Sequence, residues 1–236
     1  MVLAGGSGTR VGAGGNKVYL PVAGRRLVSW SLRAFAAVPA IGRLVLVVRP
    51  ADRAVAEQSV KAEVGAAVEL VDGGIARHDS EHEALTHLAP AIRAGEVAVV
   101  AIHDGARPVV DPHLVADILA AAYRYGGAVP GLPLPDAALI DPGAGPVPVR
   151  PDRRLVRVQT PQAFRAGPLL AAYQQAARDG FAGTDTAACF ESYAGLPVHC
   201  LPGDPCNIKV TYPGDLLVAE HLLTDRSGGR GRPGPA

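Results

Sequence analysis

Leu3-Ala4-Gly5-Gly6-Ser7-Gly8-Thr9-Arg10-Val11-Gly12 decides how this chain is read, and Lys17 follows shortly after. The stretch comes directly after a short apolar start, Met1-Val2-Leu3. Small residues let backbone N–H groups turn inward and approach an anion closely. Arg10 and Lys17 add full positive charge near the same point. A loop of this kind at the head of an α/β chain points to a bound nucleoside triphosphate. Glycine-rich turns by themselves have modest specificity, so the weight falls on what the rest of the chain sets beside this one.

Short apolar runs alternate with helical patterns along the next hundred residues. Residues 43–48, 68–71 and 97–103 are strands by their β-branched, continuously apolar character. Helical patterns cover 26–37, 51–64, 80–94 and 111–125. The third has Ser80 as its expected N-cap. The fourth has Asp111 as N-cap, Pro112 at the first helical position and Gly126-Gly127 as its stop. Alternating elements with apolar strands imply a mostly parallel sheet covered on both faces. Such a sheet binds its ligand beyond the carboxyl ends of the strands. The first strand has only three residues before the loop, where strands usually have about 5–6. It is either unusually short or begins upstream of residue 1.

Residues 131–154 break the rhythm. They are rich in Pro and Gly, with a turn near Asp141-Pro142-Gly143. Apolar pieces at 137–140 and 147–149 favour a β-hairpin arm that packs on something, such as a second subunit, over a loose loop. Residues 224–236 carry Gly, Pro, Arg and Ser with no apolar period, which predicts a disordered tail after a single domain at 1–223.

The chain has 236 residues, a formal net charge of +1 and 48% hydrophobic residues. A near-neutral charge without a concentrated basic face argues against a nucleic-acid partner. No apolar run approaches the roughly 20 residues that span a bilayer, and the N-terminus has no signal-peptide pattern. Cys189, Cys200 and Cys206 lack metal-ligand spacing and read as reduced thiols of a cytoplasmic protein. Against twenty arginines there are three lysines, Lys17, Lys61 and Lys209. Two of them lie in segments singled out on other grounds, where a compact ammonium suits a cluster of phosphate oxygens.

Four further segments carry polar residues in suggestive places. Gly73-Gly74-Ile75-Ala76-Arg77-His78-Asp79-Ser80 links a strand to a helix; it is either a turn with a cap or a set of backbone and hydroxyl groups reading a base edge. His103-Asp104-Gly105-Ala106-Arg107-Pro108 ends a buried strand. Charged residues are rarely buried unless paired, and a ligand site is favoured there over an Asp104–Arg107 ion pair. Val158-Gln159-Thr160-Pro161-Gln162-Ala163-Phe164 reads as a proline-directed turn. Asn207-Ile208-Lys209-Val210-Thr211 reads as a short strand with Ile208 and Val210 on one side and Asn207, Lys209 and Thr211 on the other. Asp185 and Thr186 read as the cap and first turn of a helix over 187–193, with a supporting role open to Asp185. His78 and His82 are four apart but have no third ligand to make a metal site.

Taken together, these segments resemble the 2-C-methyl-D-erythritol 4-phosphate cytidylyltransferases and their relatives that act on ribitol 5-phosphate, across roughly residues 1–223. The family pattern A-A-G-x-G-x-R-M-G, then P-K-Q-Y-L, is matched by residues 4–12 and by Asn16-Lys17-Val18-Tyr19-Leu20. G-G-x-x-R-x-x-S is matched at 73–80, H-D-A-A-R-P at 103–108, Q-T-P-Q-x-F at 159–164 and N-I-K-[IV]-T at 207–211. Five ordered motifs are far more specific than one.

The resemblance implies a Rossmann-like nucleotidyltransferase sheet, mostly parallel, with a protruding β-arm for dimerisation. It implies transfer of a cytidylyl group from CTP to a polyol phosphate, with release of pyrophosphate, in isoprenoid precursor synthesis. By matching position, Ala4, Gly5, Gly6, Gly8 and Gly74 surround the nucleotide, with Ser80 on the base and Asp104 and Gly105 near the ribose. Arg10 and Lys17 hold the triphosphate, and Lys209 sits between the α-phosphate and the incoming phosphate. Arg107, Thr160, Asp136 and an arm arginine bind the acceptor; Asp152-Arg153 fits best, with Arg154 one residue away. Mg²⁺ comes with the triphosphate, and no protein ligand for it is identified. The arm implies a homodimer in which each arm completes the partner's site.

The chain departs from the pattern in places. Asn16 stands for Pro, Val18 for Gln and Gly105 for Ala, the last expected to matter little. Ala137 follows Asp136 where the family has a threonine that contacts the acceptor. That leaves ribitol 5-phosphate, another polyol phosphate or a phosphonate open as acceptor, and below these a binding protein without turnover. A dinucleotide-dependent oxidoreductase fits worse. It needs G-x-G-x-x-G and an acidic residue ending the second strand, whereas the second strand here ends Val48-Arg49-Pro50.

Overall fold

The computed structural model describes residues 1–6, 15–134, 139–141, 145–147, 155–181 and 185–227. Its main sheet is built around β1 (Val2–Leu3), which pairs in parallel with β4 (Val45–Val48) on one side and β6 (Val99–Asp104) on the other. β5 (Glu69–Asp72) extends the sheet in parallel beyond β4. On the far side of β6, β11 (Gln162–Arg165) runs antiparallel, and β7 (Gly127–Pro133) runs antiparallel to β11. β10 (Val156–Val158) follows β11 along the same edge of β7, and β12 (Val198–Pro202) pairs in parallel with the other edge. The expected mostly parallel α/β sheet is therefore present.

The central strand is short. Its ladder continues past Leu3, because the Ala4 amide donates to the Val47 carbonyl at 2.8 Å and the Gly105 amide to the Leu3 carbonyl at 2.9 Å. That register sets Leu3 beside Val47 and Asp104, so the chain leaves β1 at the carboxyl ends of β4 and β6.

Both faces are covered, which is why β4 reads Val-Leu-Val-Val without alternation. Leu46 and Val48 pack into one apolar cluster with Leu32 and Phe35 of α1 (Leu27–Ala36) and Ile118 of α4 (Pro112–Tyr125). Val45 and Val47 pack into another with Leu85 of α3 (Arg77–Arg93), Tyr173 of α5 (Ala166–Arg178) and Phe190 of α6 (Thr186–Ala194). β2 (Pro21–Val22) and β3 (Arg25–Arg26) form a separate antiparallel pair before α1, and α2 (Arg53–Glu63) flanks β5. A smaller cluster joins Leu27, Val109 and Val210 to Ala219 and Leu223 of α7 (Pro213–Ser227). α4 starts as its sequence predicts, with the Asp111 carboxylate accepting from the His113 amide at 2.9 Å.

Several expectations change. Helix α3 begins at Arg77, so Ser80 is not its N-cap. The Asp79 carboxylate takes that end by accepting from the Ala76 amide at 2.9 Å, and the Ser80 hydroxyl turns back to the Ala76 carbonyl at 3.0 Å. Residues 207–211 form no strand. Their hydrogen bonds are local or solitary, with the Val210 amide on the Ala106 carbonyl at 2.8 Å. Asn207 is buried, and its amide nitrogen donates to the Thr160 carbonyl at 2.8 Å. The proline-directed turn is confined to Gln159-Thr160-Pro161, where it joins β10 to β11.

α7 continues through Ser227, so the order expected to end at 223 goes on. The segment expected as an arm contains β8 (Leu139–Asp141) and β9 (Gly145–Val147), antiparallel to each other in their own two-stranded sheet. Gly8, Arg10, Asp136, Ala137, Arg153 and Arg154 lie outside the described residues, as do 228–236.

Candidate active site

A cleft of about 520 Å³ opens at the carboxyl ends of β1, β4 and β6. It is lined by Gly5 and Gly6, by Lys17, by Arg77 and Ser80 of α3, by Asp104 and Gly105, and by Lys209. Seven of these, all but Arg77, are candidate site residues by sequence, and they share one cavity although they span about two hundred residues of chain. Arg49, at the end of β4, lines it as well.

Lys17 is positioned by Asn16. The Asn16 side chain is buried; its Nδ2 donates to the Ala4 carbonyl at 2.6 Å and to Asp52 Oδ2 at 2.8 Å. Its Oδ1 accepts from the Val18 amide and caps the 3-10 turn at Lys17–Tyr19. Asp52 in turn holds Arg49 through two hydrogen bonds, at 2.7 and 3.0 Å. An asparagine where the family has proline is therefore a structural tie between the first loop, the Lys17 turn and the Arg49 rim.

Two glycines are required by close approach. A Cβ on Gly74 would lie 2.3 Å from Asp79 Cβ, so any side chain there pushes the loop off the start of α3. A Cβ on Gly105 would lie 2.9 Å from the Leu3 carbonyl oxygen. Here the expectation that glycine for alanine matters little is corrected, because the loop sits too close to β1 to admit a methyl group without a backbone shift.

Asp104 is the electrostatic centre. Its Oδ1 accepts from Arg77 Nη1 and its Oδ2 from Lys209 Nζ at 2.8 Å. Burial works to raise the Asp104 carboxyl; Arg77 and then Lys209 outweigh it and hold the group well below the usual carboxylate range. Arg107 is a lesser partner, with Nε 3.8 Å from Asp104 Oδ2. Its Nη1 donates to the Asn207 carbonyl at 2.8 Å, while its buried Nε lacks a hydrogen bond.

His103 and Thr160 stand behind Asp104. Burial pushes the fully buried His103 imidazole down to about 3, so the ring is neutral at physiological pH. Nε2 faces the Arg107 carbonyl at 3.2 Å and must donate to it, which leaves Nδ1 as an acceptor for the Thr160 hydroxyl at 3.0 Å. The Thr160 oxygen accepts from the Asp104 amide at 3.0 Å. Thr160 thus fixes the Asp104 backbone from within and does not line the cleft. Ala4 is also committed inward, with its amide on Val47 and its carbonyl on Asn16. Asp185 accepts from Gln162 Nε2 at 3.0 Å and precedes α6 as expected.

Three functional features escaped the sequence reading. Arg49 was read only as the absence of an acid. Arg77 and Glu81 form an i,i+4 pair, Arg77 Nε to Glu81 Oε1 at 2.9 Å, a spacing that a helix beginning at Ser80 does not offer.

A glycine loop and a set of cations gathered at the carboxyl ends of a mostly parallel sheet define a nucleotide-handling α/β protein of the nucleotidyltransferase class. A family profile described as 2-C-methyl-D-erythritol 4-phosphate cytidylyltransferase matches residues 1–225. A protein of that name from Cereibacter sphaeroides is 42% identical over 228 residues, covering 97% of each chain. One from Geobacillus kaustophilus is 39% identical over 96% of each. The crystal structure of the Thermus thermophilus enzyme of the same name superposes with a TM-score of 0.67 at 33% identity, covering 94% of this chain and 98% of that one. The 4-diphosphocytidyl-2C-methyl-D-erythritol synthase of Anaerococcus prevotii superposes with a TM-score of 0.80 at 26% identity, covering 94% of each. The chain belongs to the 2-C-methyl-D-erythritol 4-phosphate cytidylyltransferase family.

Proposed function

We propose that this protein joins CTP and 2-C-methyl-D-erythritol 4-phosphate to give CDP-methylerythritol and pyrophosphate. The observation that carries this reading is the convergence of Lys17, Arg77 and Lys209 with Asp104 and the Gly5-Gly6 loop in one cleft. The acceptor phosphate is already a nucleophile at neutral pH, so no general base is needed. Its oxygen bonds to the α-phosphorus of CTP as the bond to the β-phosphate oxygen breaks. The barrier comes from repulsion between anions and from charge gathering on a five-coordinate phosphorus, and fixed cations lower both.

Lys17 takes the triphosphate, with Arg10 of the same loop as its proposed partner. Ser80 and the Gly5 and Gly74 backbones take the base; Asp104 takes the ribose. Lys209 leaves Asp104 for the reacting phosphates when they arrive, and Arg77 stays behind as counter-ion. Arg107, with its unpaired Nε, and Asp136 and Arg153 of the arm segment bind the acceptor. Thr160 supports that set indirectly, through His103 and Asp104.

Among the described residues Asp104 is the one carboxylate lining the cleft, and both its oxygens already have cationic partners. Among the described residues no group of three His, Cys, Asp or Glu side chains converges. This donor set fits a Mg²⁺ that would be held mainly by the triphosphate, with Asp104 the carboxylate the cleft could offer it. When bound, the ion neutralises phosphate charge and eases departure of pyrophosphate.

The same reading makes the protein a cytoplasmic homodimer with exchanged arms; among the described residues no helix is long and apolar enough to cross a membrane. A monomer mass by light scattering at working concentration would remove the cross-subunit role of Arg153. Nucleotide choice has its own test. CTP at about 100 times its Kd stabilises the folded state by about 2.7 kcal/mol, which raises the melting temperature by roughly 5–10 °C. NAD and NADP leave it unchanged. A shift with the dinucleotides and none with CTP would sink the assignment.

A further inference from the structure

Glu81 is an ionisable residue that the reaction does not use, yet it is 1% exposed and fully engaged. It lies on α3, outside the cleft lining. Its Oε1 accepts from Arg77 Nε at 2.9 Å and from the Thr186 hydroxyl at 2.8 Å. Its Oε2 accepts from the Tyr173 hydroxyl. Three helices, α3, α5 and α6, therefore converge on this one carboxylate.

Arg77 is the exit from that buried cluster. One turn before Glu81, it presents a partly exposed guanidinium to the cleft, and Nη1 reaches Asp104 Oδ1. The planar guanidinium thus spans two carboxylates with separate nitrogens, which a lysine ammonium on one point could not do. Asp104 needs this. Its other oxygen is paired with Lys209, and a ligand phosphate that draws Lys209 away would leave that oxygen of a buried carboxylate with only Arg107 Nε, 3.8 Å off, as a cationic neighbour. Held by Glu81, Arg77 cannot follow Lys209 to the phosphates. Asp104 then stays ionised and in place, with Oδ2 released to accept from a ribose hydroxyl.

We infer that Glu81 is the positioning residue of the nucleoside end of this site, acting through Arg77 on Asp104. The inference rests on the cleft being the CTP site. Its alternative is that Glu81 is only a staple between α3, α5 and α6, and the two differ in what a variant does to binding.

Glu81→Gln keeps the volume and some hydrogen bonds but removes the charge that pins Arg77. The expected result is a Kd and a KM for CTP raised roughly tenfold, the scale of one charge-assisted contact, with kcat at saturating CTP within about threefold of wild type. Phe190→Leu is the control: it loosens the same core on α6 without touching Glu81, and it lowers the melting temperature while leaving CTP affinity as it was. Should Glu81→Gln fail to fold, Arg77→Lys decides the question, since it keeps a cation and loses the bridge, and the same rise in Kd is expected. Calorimetric titration with CTP reads all of these. Unchanged affinity in Glu81→Gln or in Arg77→Lys, or an equal loss in Phe190→Leu, overturns the inference while the CTP site stands. Failure of the wild-type chain to bind CTP overturns both.

Discussion

Lys209→Ala is expected to lower turnover at saturating substrates by roughly 100- to 1,000-fold, with the Kd for CTP within about tenfold of wild type. Lys209 Nζ lies 2.8 Å from Asp104 Oδ2, and its side chain is 44% exposed, so it can reach an incoming phosphate without a change of fold. A point charge aimed at the α-phosphorus is worth most when negative charge peaks there, which is in the transition state. Its loss therefore falls on kcat. Asp104 retains Arg77 as counter-ion, and the stability cost should be small. Pyrophosphate release gives kcat, and calorimetry gives Kd. Near-normal turnover in the variant, or a loss confined to CTP binding, would contradict the role given to Lys209.

The second large effect is on stability and pH. His103 is neutral in the fold because burial pushes it down to about 3, whereas in an unfolded chain it titrates near 6.5. Below about pH 6.5 the unfolded state binds a proton that the folded state refuses, so stability falls as pH falls. Between pH 7.5 and 5 this one group removes about 2 kcal/mol, a large share of the ~5–15 kcal/mol that holds a domain together. His78, also lowered by burial, acts in the same direction. The depressed carboxyl of Asp104 adds its own loss only at more acid pH, since its stability is present above the ordinary carboxylate range. His103→Gln isolates the histidine. It starts less stable, because glutamine cannot repeat both the donor to Arg107 and the acceptor for Thr160, but its stability should decline less from pH 7.5 to 5 by the same ~2 kcal/mol. Urea midpoints at the two pH values measure this, and parallel losses in both proteins would contradict it.

What was legible in the sequence follows the strength of local signals. β4 is a continuous apolar run because both its faces are buried, and α4 is bracketed by Asp111-Pro112 and Gly126. These needed no tertiary information. β7 was hidden: Gly127, Pro130, Gly131 and Pro133 argue against a strand, and only pairing on both edges makes it one. α3 was misplaced by one turn because Ser80 is a better cap by residue type, while Asp79 is the better one by position. That slip concealed the Arg77–Glu81 spacing. Residues 207–211 alternate like a strand, yet the Asn207 carbonyl is claimed by Arg107 and Gln159, so no ladder forms. Gly5, Gly6, Lys17, Asp104 and Lys209 share the cleft, and the sequence singles them out because a scarce lysine, a glycine run or a charged residue ending a buried strand is informative. The inward roles of Thr160 and Ala4 were not, because a hydroxyl or a backbone amide looks the same in sequence whether it faces a ligand or the core.

The most direct test of the proposed chemistry is pyrophosphate release from CTP with Mg²⁺ against 2-C-methyl-D-erythritol 4-phosphate, ribitol 5-phosphate, glycerol 3-phosphate and a simple hydroxyalkyl phosphonate. Release with methylerythritol phosphate, and formation of its CDP derivative, is the expected result, and it would show that Ala137 in place of threonine is tolerated. Release with another acceptor alone, or none with any while CTP still binds, would contradict it.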